Sequence, residues 1–217
     1  MYKNLFLKNI MKLAVFDFDN TLMNWETIDF LALENWVIDD VSKITKKSMA
    51  WELNFYESLI NRVKLLKWLS LQKVNSICAN LPLNKWVEET LIELKKRGYK
   101  IICFSWWFRN ATKILVEKWL VDVDFANILN SKNWVLTWEV WWDMMFAESK
   151  WDMLRRLQWL LGINKKDTIV IWDWANDLSM FKFADKKVAF CANNILKGKA
   201  NIIIEEKDLS LILDYIN

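Results

Sequence analysis

Leu13-Ala-Val-Phe-Asp-Phe-Asp-Asn-Thr-Leu22 is the stretch on which the reading of this chain turns. Leu13 to Phe16 is a short, unbroken apolar run, the pattern of a strand buried on both faces. It stops abruptly at two carboxylates, Asp17 and Asp19, with Thr21 two residues further on. In open α/β sheets ligands collect outside the carboxyl ends of the strands, so these acids stand at the mouth of a cleft. A lone aspartate there reads as a cap on the following helix. Two acids so close repel one another unless a cation lies between them, and the pair points to a metal-assisted site.

The 217 residues suffice for one sizeable domain, or for a domain with a large insertion. A hydrophobic content of 54% with a mean hydropathy of +0.03 predicts a soluble globular chain. Net charge is +3 from 30 basic and 27 acidic residues, too even a balance to imply nucleic acid or a membrane surface as partner. No apolar run approaches a transmembrane span. The opening MYKNLFLKNI lacks the layout of a secretory signal; Met11-Lys12 reads as a natural start and residues 1–10 as a lead-in. Cys78, Cys103 and Cys191 are few, odd in number and set among apolar residues, as expected of reduced thiols in a cytoplasmic protein.

The chain has no histidine. That excludes Ser-His-Asp and Cys-His nucleophile systems and histidine-ligated zinc. Neither a phosphate-binding Gly-x-x-x-x-Gly-Lys nor a dinucleotide Gly-x-Gly-x-x-Gly is present. A metal here is held by oxygen, which points to Mg2+.

From about Asn24 to Leu83 the sequence reads as helices. Leu53, Phe55, Leu59, Ile60, Val63, Leu66 and Leu69 recur near a 3.6-residue period, and Thr27–Trp36, Asp39–Met49 and Ser70–Ala79 predict shorter helices. Pro82, the only proline, marks the exit. From Asn84 strands and helices alternate. Trp86–Arg97 is an amphipathic helix closed by Gly98, and Tyr99–Phe104 is a buried strand stopping at Ser105. Ala111–Trp119 is helical, Phe125–Asn130 with Trp134–Val140 predicts a strand and a small hairpin, and Ala147–Leu161 is a helix carrying Lys150. Thr168–Ile171 is a strand that ends in Trp-Asp-Trp-Ala-Asn-Asp (172–177), and Lys187–Phe190 and Asn201–Ile204 are short strands, each followed by a helix. The expected fold is a three-layer α/β/α, Rossmann-like core with a mainly parallel sheet. Residues 1–23 and 84–217 form that core, and 24–83 form an inserted α-helical bundle that caps the catalytic mouth.

Three strand ends therefore carry polar residues: Asp17 and Asp19, Ser105, and Asp173 with Asn176 and Asp177. Lys150 lies near the start of an intervening helix. Taken singly, Ser105 reads as a helix cap, Lys150 as a surface charge and Asn-Asp as a turn. In this order and spacing the four segments resemble the four motifs of the haloacid dehalogenase-like hydrolases, beginning with Asp-x-Asp-x-Thr. The resemblance implies Asp17 as nucleophile, Asp19 as general acid and base, and Mg2+ held by Asp17, the Asp19 backbone, Asp173 and Asp177. Ser105, the backbone at Trp106, Lys150 and Asn176 would bind the phosphoryl group.

The resemblance extends over residues 12–217 to the branch of that family that dephosphorylates O-phosphoserine, a step of serine biosynthesis. Glu26, Met49, Phe55 and Arg62 fall at that branch's substrate-reading positions. The set suits a small phospho-amino acid: Glu26 for its ammonium, Arg62 for its carboxylate, and Met49 and Phe55 to exclude water. Another small phosphomonoester, transfer of the phosphoryl group to an alcohol other than water, or a binding protein with an impaired site remain alternatives.

The chain departs from the family at its glycines. It has 3 glycines and 16 tryptophans, whereas about 7% glycine is usual. Trp106, Trp107, Trp172 and Trp174 stand where the family's phosphate-binding loops have glycine, and Trp36, Trp51, Trp134, Trp138 and Trp151 stand where relatives carry glycine or a turn. A codon read as tryptophan under one genetic code and as glycine under another would write this pattern. It predicts indoles crowding the cleft.

Overall fold

Strand β1 (Lys12–Asp17) is the centre of the molecule. Leu13 and Val15 belong to one apolar cluster and Ala14 and Phe16 to another, all four fully buried. Alternate side chains of a strand point to opposite faces, so both faces are covered and no polar residue is tolerated along the run. The computed structural model describes residues 11–50, 52–141, 144–146 and 148–216, the side chains of residues 175–177 excepted. The expected lead-in 1–10, Trp51, and the side chains of Asn176 and Asp177 lie outside the described residues.

β1 pairs in parallel with β2 (Tyr99–Phe108) on one side and with β5 (Thr168–Trp172) on the other. With β3 (Val123–Lys132), β4 (Val135–Trp141), β6 (Lys186–Phe190) and β7 (Ile202–Ile204) the seven-stranded order is β4-β3-β2-β1-β5-β6-β7, and only β4 runs antiparallel. The sheet is mainly parallel, as expected. The order reverses direction at β1, so the carboxyl ends of β1, β2 and β5 lie side by side at the topological switch point.

Helices α1 (Thr27–Glu34), α2 (Ile38–Met49), α3 (Phe55–Leu65) and α4 (Leu71–Ala79) lie between β1 and α5 (Val87–Lys96). They share the Phe16 cluster with α5 and α6 (Arg109–Glu117). The Val15 face is covered by α7 (Ser149–Leu161), the 3-10 segment Ala175–Phe183 and α8 (Asn194–Lys197). Sequence signals set the helix starts: Asn54 accepts the Glu57 N–H in a capping box, and Ser70 accepts the Lys73 N–H. The chain leaves for α1 and returns from α4 at one point. There Asn24 N–H donates to the Pro82 carbonyl, Asn84 N–H to Leu22, and Asn84 Nδ2 to Thr21.

One sequence expectation is corrected. β2 does not stop at Ser105 but continues to Phe108, with its register against β3 shifting between Phe104 and Phe108. Such an irregularity re-aims side chains beside a site. The last strand is followed by a helix as expected, the 3-10 segment Leu209–Tyr215, its start fixed by the Asp208 side chain accepting the Ser210 N–H.

Eight described non-glycine residues have positive φ, and five of them are tryptophans: Trp36, Trp68, Trp86, Trp119 and Trp134. The other three are Asn20, Asn133 and Cys191. Asparagine is tolerated in the left-handed region, whereas a bulky side chain there is strained by about 1–2 kcal/mol.

Candidate active site

The topology brings Asp17, Ser105 and Asp173 together, because Asp17 ends β1, Asp173 follows β5, and Ser105 lies in the carboxyl-terminal half of β2, which pairs with β1. Asp17 is buried, its Oδ1 accepting the Phe18 N–H at 2.9 Å and lying 3.1 Å from Lys150 Nζ. Lys150 reaches this point from the first turn of α7, with its side chain 1% exposed. A lysine so deeply buried is held charged only by a partner. Besides Asp17, its ammonium has the faces of Trp106 and Trp172, with centroids at 4.5 and 5.2 Å.

Asp19 lies on the same wall and is held by three donors. Its Oδ1 accepts the Thr27 N–H at 2.7 Å and the Thr27 hydroxyl at 2.6 Å, and its Oδ2 accepts the Ser105 hydroxyl at 2.7 Å. Ser105 Oγ in turn accepts the Trp107 N–H at 2.9 Å. Burial first, and then the charge of Glu26, push the Asp19 carboxyl well above its ordinary value, although the Thr27 and Ser105 bonds pull it down. Asp173 is also pushed well up, first by burial and then by the charges of Asp17 and Glu26.

Opposite stand the predicted substrate-reading residues. Glu26, the residue before α1, accepts from Asn20 Nδ2 at 2.7 Å and from the Trp107 indole N–H at 2.6 Å. Burial raises its carboxyl above the usual range. Arg62 on α3 is buried, which lowers its guanidinium to about 10, and it lies over the Trp107 ring with 4.4 Å to the centroid. Phe55 packs on Trp106 with ring centroids 4.3 Å apart, and Met49 is 59% exposed at the rim. A cleft of about 420 Å³ joins Asp17, Asp19, Asp173, Glu26, Met49, Phe55 and Arg62, and Trp106, Trp107 and Trp174 project into the same wall.

The structure thus brings together Asp17, Asp19, Ser105, Lys150, Asp173, Glu26, Met49, Phe55 and Arg62, whereas Thr21 does not line the cleft. Ser105 and Lys150 stand just behind the cleft wall. Sequence reading missed Thr27, Asn20 and Asn127. Thr27 acts through a contact eight residues away from Asp19, for which no local pattern exists. Asn20 leaves one signal, a turn-forming asparagine directly after an acid pair, and adopts φ +57. Asn127 braces the second motif from β3, donating to the Trp106 carbonyl and accepting the Met144 N–H. Among the described residues no group of three or more acidic or cysteine side chains stands close enough to hold a metal ion. The donors that do converge, buried Asp17 and half-buried Asp173, are oxygens whose mutual repulsion a hard cation would relieve.

Comparison with known proteins gives this geometry its class. Residues 11–185 match the description haloacid dehalogenase-like hydrolase. The chain belongs to the haloacid dehalogenase-like hydrolases, a family generally dependent on a metal, and within them to the branch of the phosphoserine phosphatases. It is 52% identical over 206 residues to the phosphoserine phosphatase of Wolinella succinogenes, covering 95% of this chain and 100% of that one. A phosphoserine phosphatase solved as an analogue of the phospho-aspartyl intermediate superposes with a TM-score of 0.87 at 45% identity, covering 96% of this chain and 100% of that one. A substrate-bound phosphoserine phosphatase superposes with a TM-score of 0.88 at 44% identity, covering 95% and 99%.

Proposed function

We propose that this chain hydrolyses O-phospho-L-serine to L-serine and phosphate in the cytoplasm, through a phosphorylated Asp17. The observation that carries the reading is the pairing, in one cleft, of Asp17, Asp19 and Asp173 with Glu26 and Arg62, Lys150 reaching Asp17 from just behind the wall. One group handles a phosphoryl centre and the other reads an amino acid.

The Asp17 carboxylate attacks phosphorus while the bond to the serine oxygen breaks, and Asp19 gives its proton to that departing oxygen. Asp19 then takes a proton from a water that attacks the acyl phosphate, releasing phosphate and restoring Asp17. Lys150, Ser105, the backbone at Trp106 and the Asn176 side chain hold the phosphoryl oxygens and offset charge as it shifts. The Asp17 and Asp173 carboxylates and the Asp19 backbone carbonyl suit Mg2+, and the family resemblance adds Asp177; the ion would neutralise phosphate charge. Glu26 pairs the substrate ammonium and Arg62 its carboxylate, while Met49 and Phe55 exclude water. Residues 24–83 act as a cap hinged where Asn24 and Asn84 meet the core. In support of a cytoplasmic location, Cys78, Cys103 and Cys191 are all free, and no helix among the described residues is long and apolar enough to cross a membrane.

The reading is tested by phosphate release from a panel of phosphomonoesters with and without Mg2+. O-phosphoserine should exceed phosphoethanolamine, which lacks the carboxylate. Losing one charged hydrogen-bonding partner costs about 1.5–3 kcal/mol, roughly ten- to a hundred-fold in kcat/KM. Equal rates on the two compounds would leave a general phosphatase and remove the amino-acid assignment. A second reading, a binding protein with an impaired site, is favoured by one contact. The Trp107 indole N–H occupies Glu26, and its ring covers Arg62.

A further inference from the structure

Glycine is scarce and tryptophan abundant here, and tryptophan stands at backbone positions that favour glycine. At the end of α7, Gly162 has φ +65; its N–H donates to the Trp159 carbonyl at 3.4 Å and the Ile163 N–H to Gln158 at 2.9 Å. The end of α1 repeats this geometry. Trp36 has φ +59, its N–H donates to Leu33 at 3.2 Å, and the Val37 N–H donates to Ala32 at 2.9 Å. So does the end of α6, where Trp119 has φ +59 and the N–H groups of Trp119 and Leu120 donate to Val116 and Leu115, both at 2.9 Å. This is the Schellman closure, whose left-handed residue is glycine because a Cβ there is penalised. α5 closes on Gly98 at φ +83. Four helix ends thus close on a left-handed residue, two written with glycine and two with tryptophan.

The β3–β4 hairpin repeats the pattern. Lys132 pairs with Val135 across Asn133 at φ +53 and Trp134 at φ +65. Positive φ at both turn residues defines a type I′ turn, whose preferred sequence is Asn-Gly. Trp68 and Trp86 adopt φ +79 and +61. Nor do the indoles recover the strain by packing: Trp36, Trp68, Trp119 and Trp134 are 94, 73, 84 and 79% exposed.

We infer that the protein made in its source organism carries glycine at Trp36, Trp68, Trp86, Trp119 and Trp134, and that the same exchange applies to Trp106, Trp107, Trp172 and Trp174 of the cleft. A codon with two meanings converts one residue type into another at scattered sites, and UGA, read as tryptophan under one variant code and glycine under another, is such a codon. The cleft fits the exchange. Trp172 is fully buried with an indole N–H that has no hydrogen-bond partner among the described residues, and Trp107 blocks the gap between Glu26 and Arg62. Left-handed backbone at these turns is independent of any phosphatase activity, so the tests read codon, mass and Tm.

Two measurements decide it. The gene should carry UGA at these positions, and peptides from the native protein should weigh as glycine at Trp36 and Trp119; UGG codons, or peptides carrying tryptophan there, would overturn the inference. Independently, the written chain is compared with two sets of variants at Trp36, Trp68, Trp119 and Trp134, one all glycine and one all alanine. Alanine removes the indole but keeps the Cβ. The glycine set should raise Tm by about 10 °C or more and the alanine set far less. Equal gains from both sets would mean that the backbone does not require glycine, and would overturn the inference.

Discussion

Lys150 shows what a single residue contributes to this site. Its composition-level reading is a solvated surface charge, yet its ammonium is buried against Asp17. Replacing a buried ion-pair member with an apolar residue of similar length leaves packing intact but leaves the other charge alone. Lys150→Met should lower kcat/KM on O-phosphoserine at least about a hundred-fold, the loss typical of a group that stabilises developing charge. Circular dichroism melting should still show a cooperative transition. A variant with unchanged kcat/KM would remove Lys150 from the proposed machinery. Asp17, Ser105 and Asp173 were legible in the sequence because each ends or follows a buried apolar run, where polarity must have a local cause. Lys150 lies on an amphipathic helix where a lysine is ordinary, and only its order among the four motifs marked it. Thr27 was illegible because its role, holding Asp19, exists only once α1 folds back over the β1 loop.

Among the elements, α3 carries two of the residues proposed to read the substrate, Phe55 and Arg62. Its start is written in the chain: Asn54 and Glu57 exchange hydrogen bonds in a capping box. Asn54→Ala should cost about 1 kcal/mol, which lowers Tm by roughly 2–4 °C in a chain of this size. Because the frayed turn bears Phe55 but no catalytic acid, KM for O-phosphoserine should rise more than kcat falls. An unchanged Tm would show that tertiary packing alone sets the start of the helix. Strand ends were harder to read than helix starts. β2 runs past Ser105 because its pairing with β3 resumes after an irregularity, and a pairing partner does not appear in the local pattern.

At the scale of the whole molecule, strand order concentrates the chemistry. With β1 between β2 and β5, three loops distant in sequence meet at one point, and the helices after β1 supply the opposite wall. The alternation of strands and helices made the parallel sheet legible, and the four helices after β1 were legible as one long helical run. The conformation of the turns was legible only as an excess of tryptophan. The central claim is that Asp17 becomes phosphorylated during turnover of O-phosphoserine, and trapping the phosphoenzyme tests it most directly. The chain bearing glycine at Trp106, Trp107, Trp172 and Trp174 is mixed with labelled O-phosphoserine and Mg2+, quenched in acid within one turnover, and mapped by peptide mass. The account predicts one hydroxylamine-sensitive phosphoryl group, on Asp17, and none in the Asp17→Asn variant. Label on another residue, or turnover of O-phosphoserine persisting in Asp17→Asn, would contradict it.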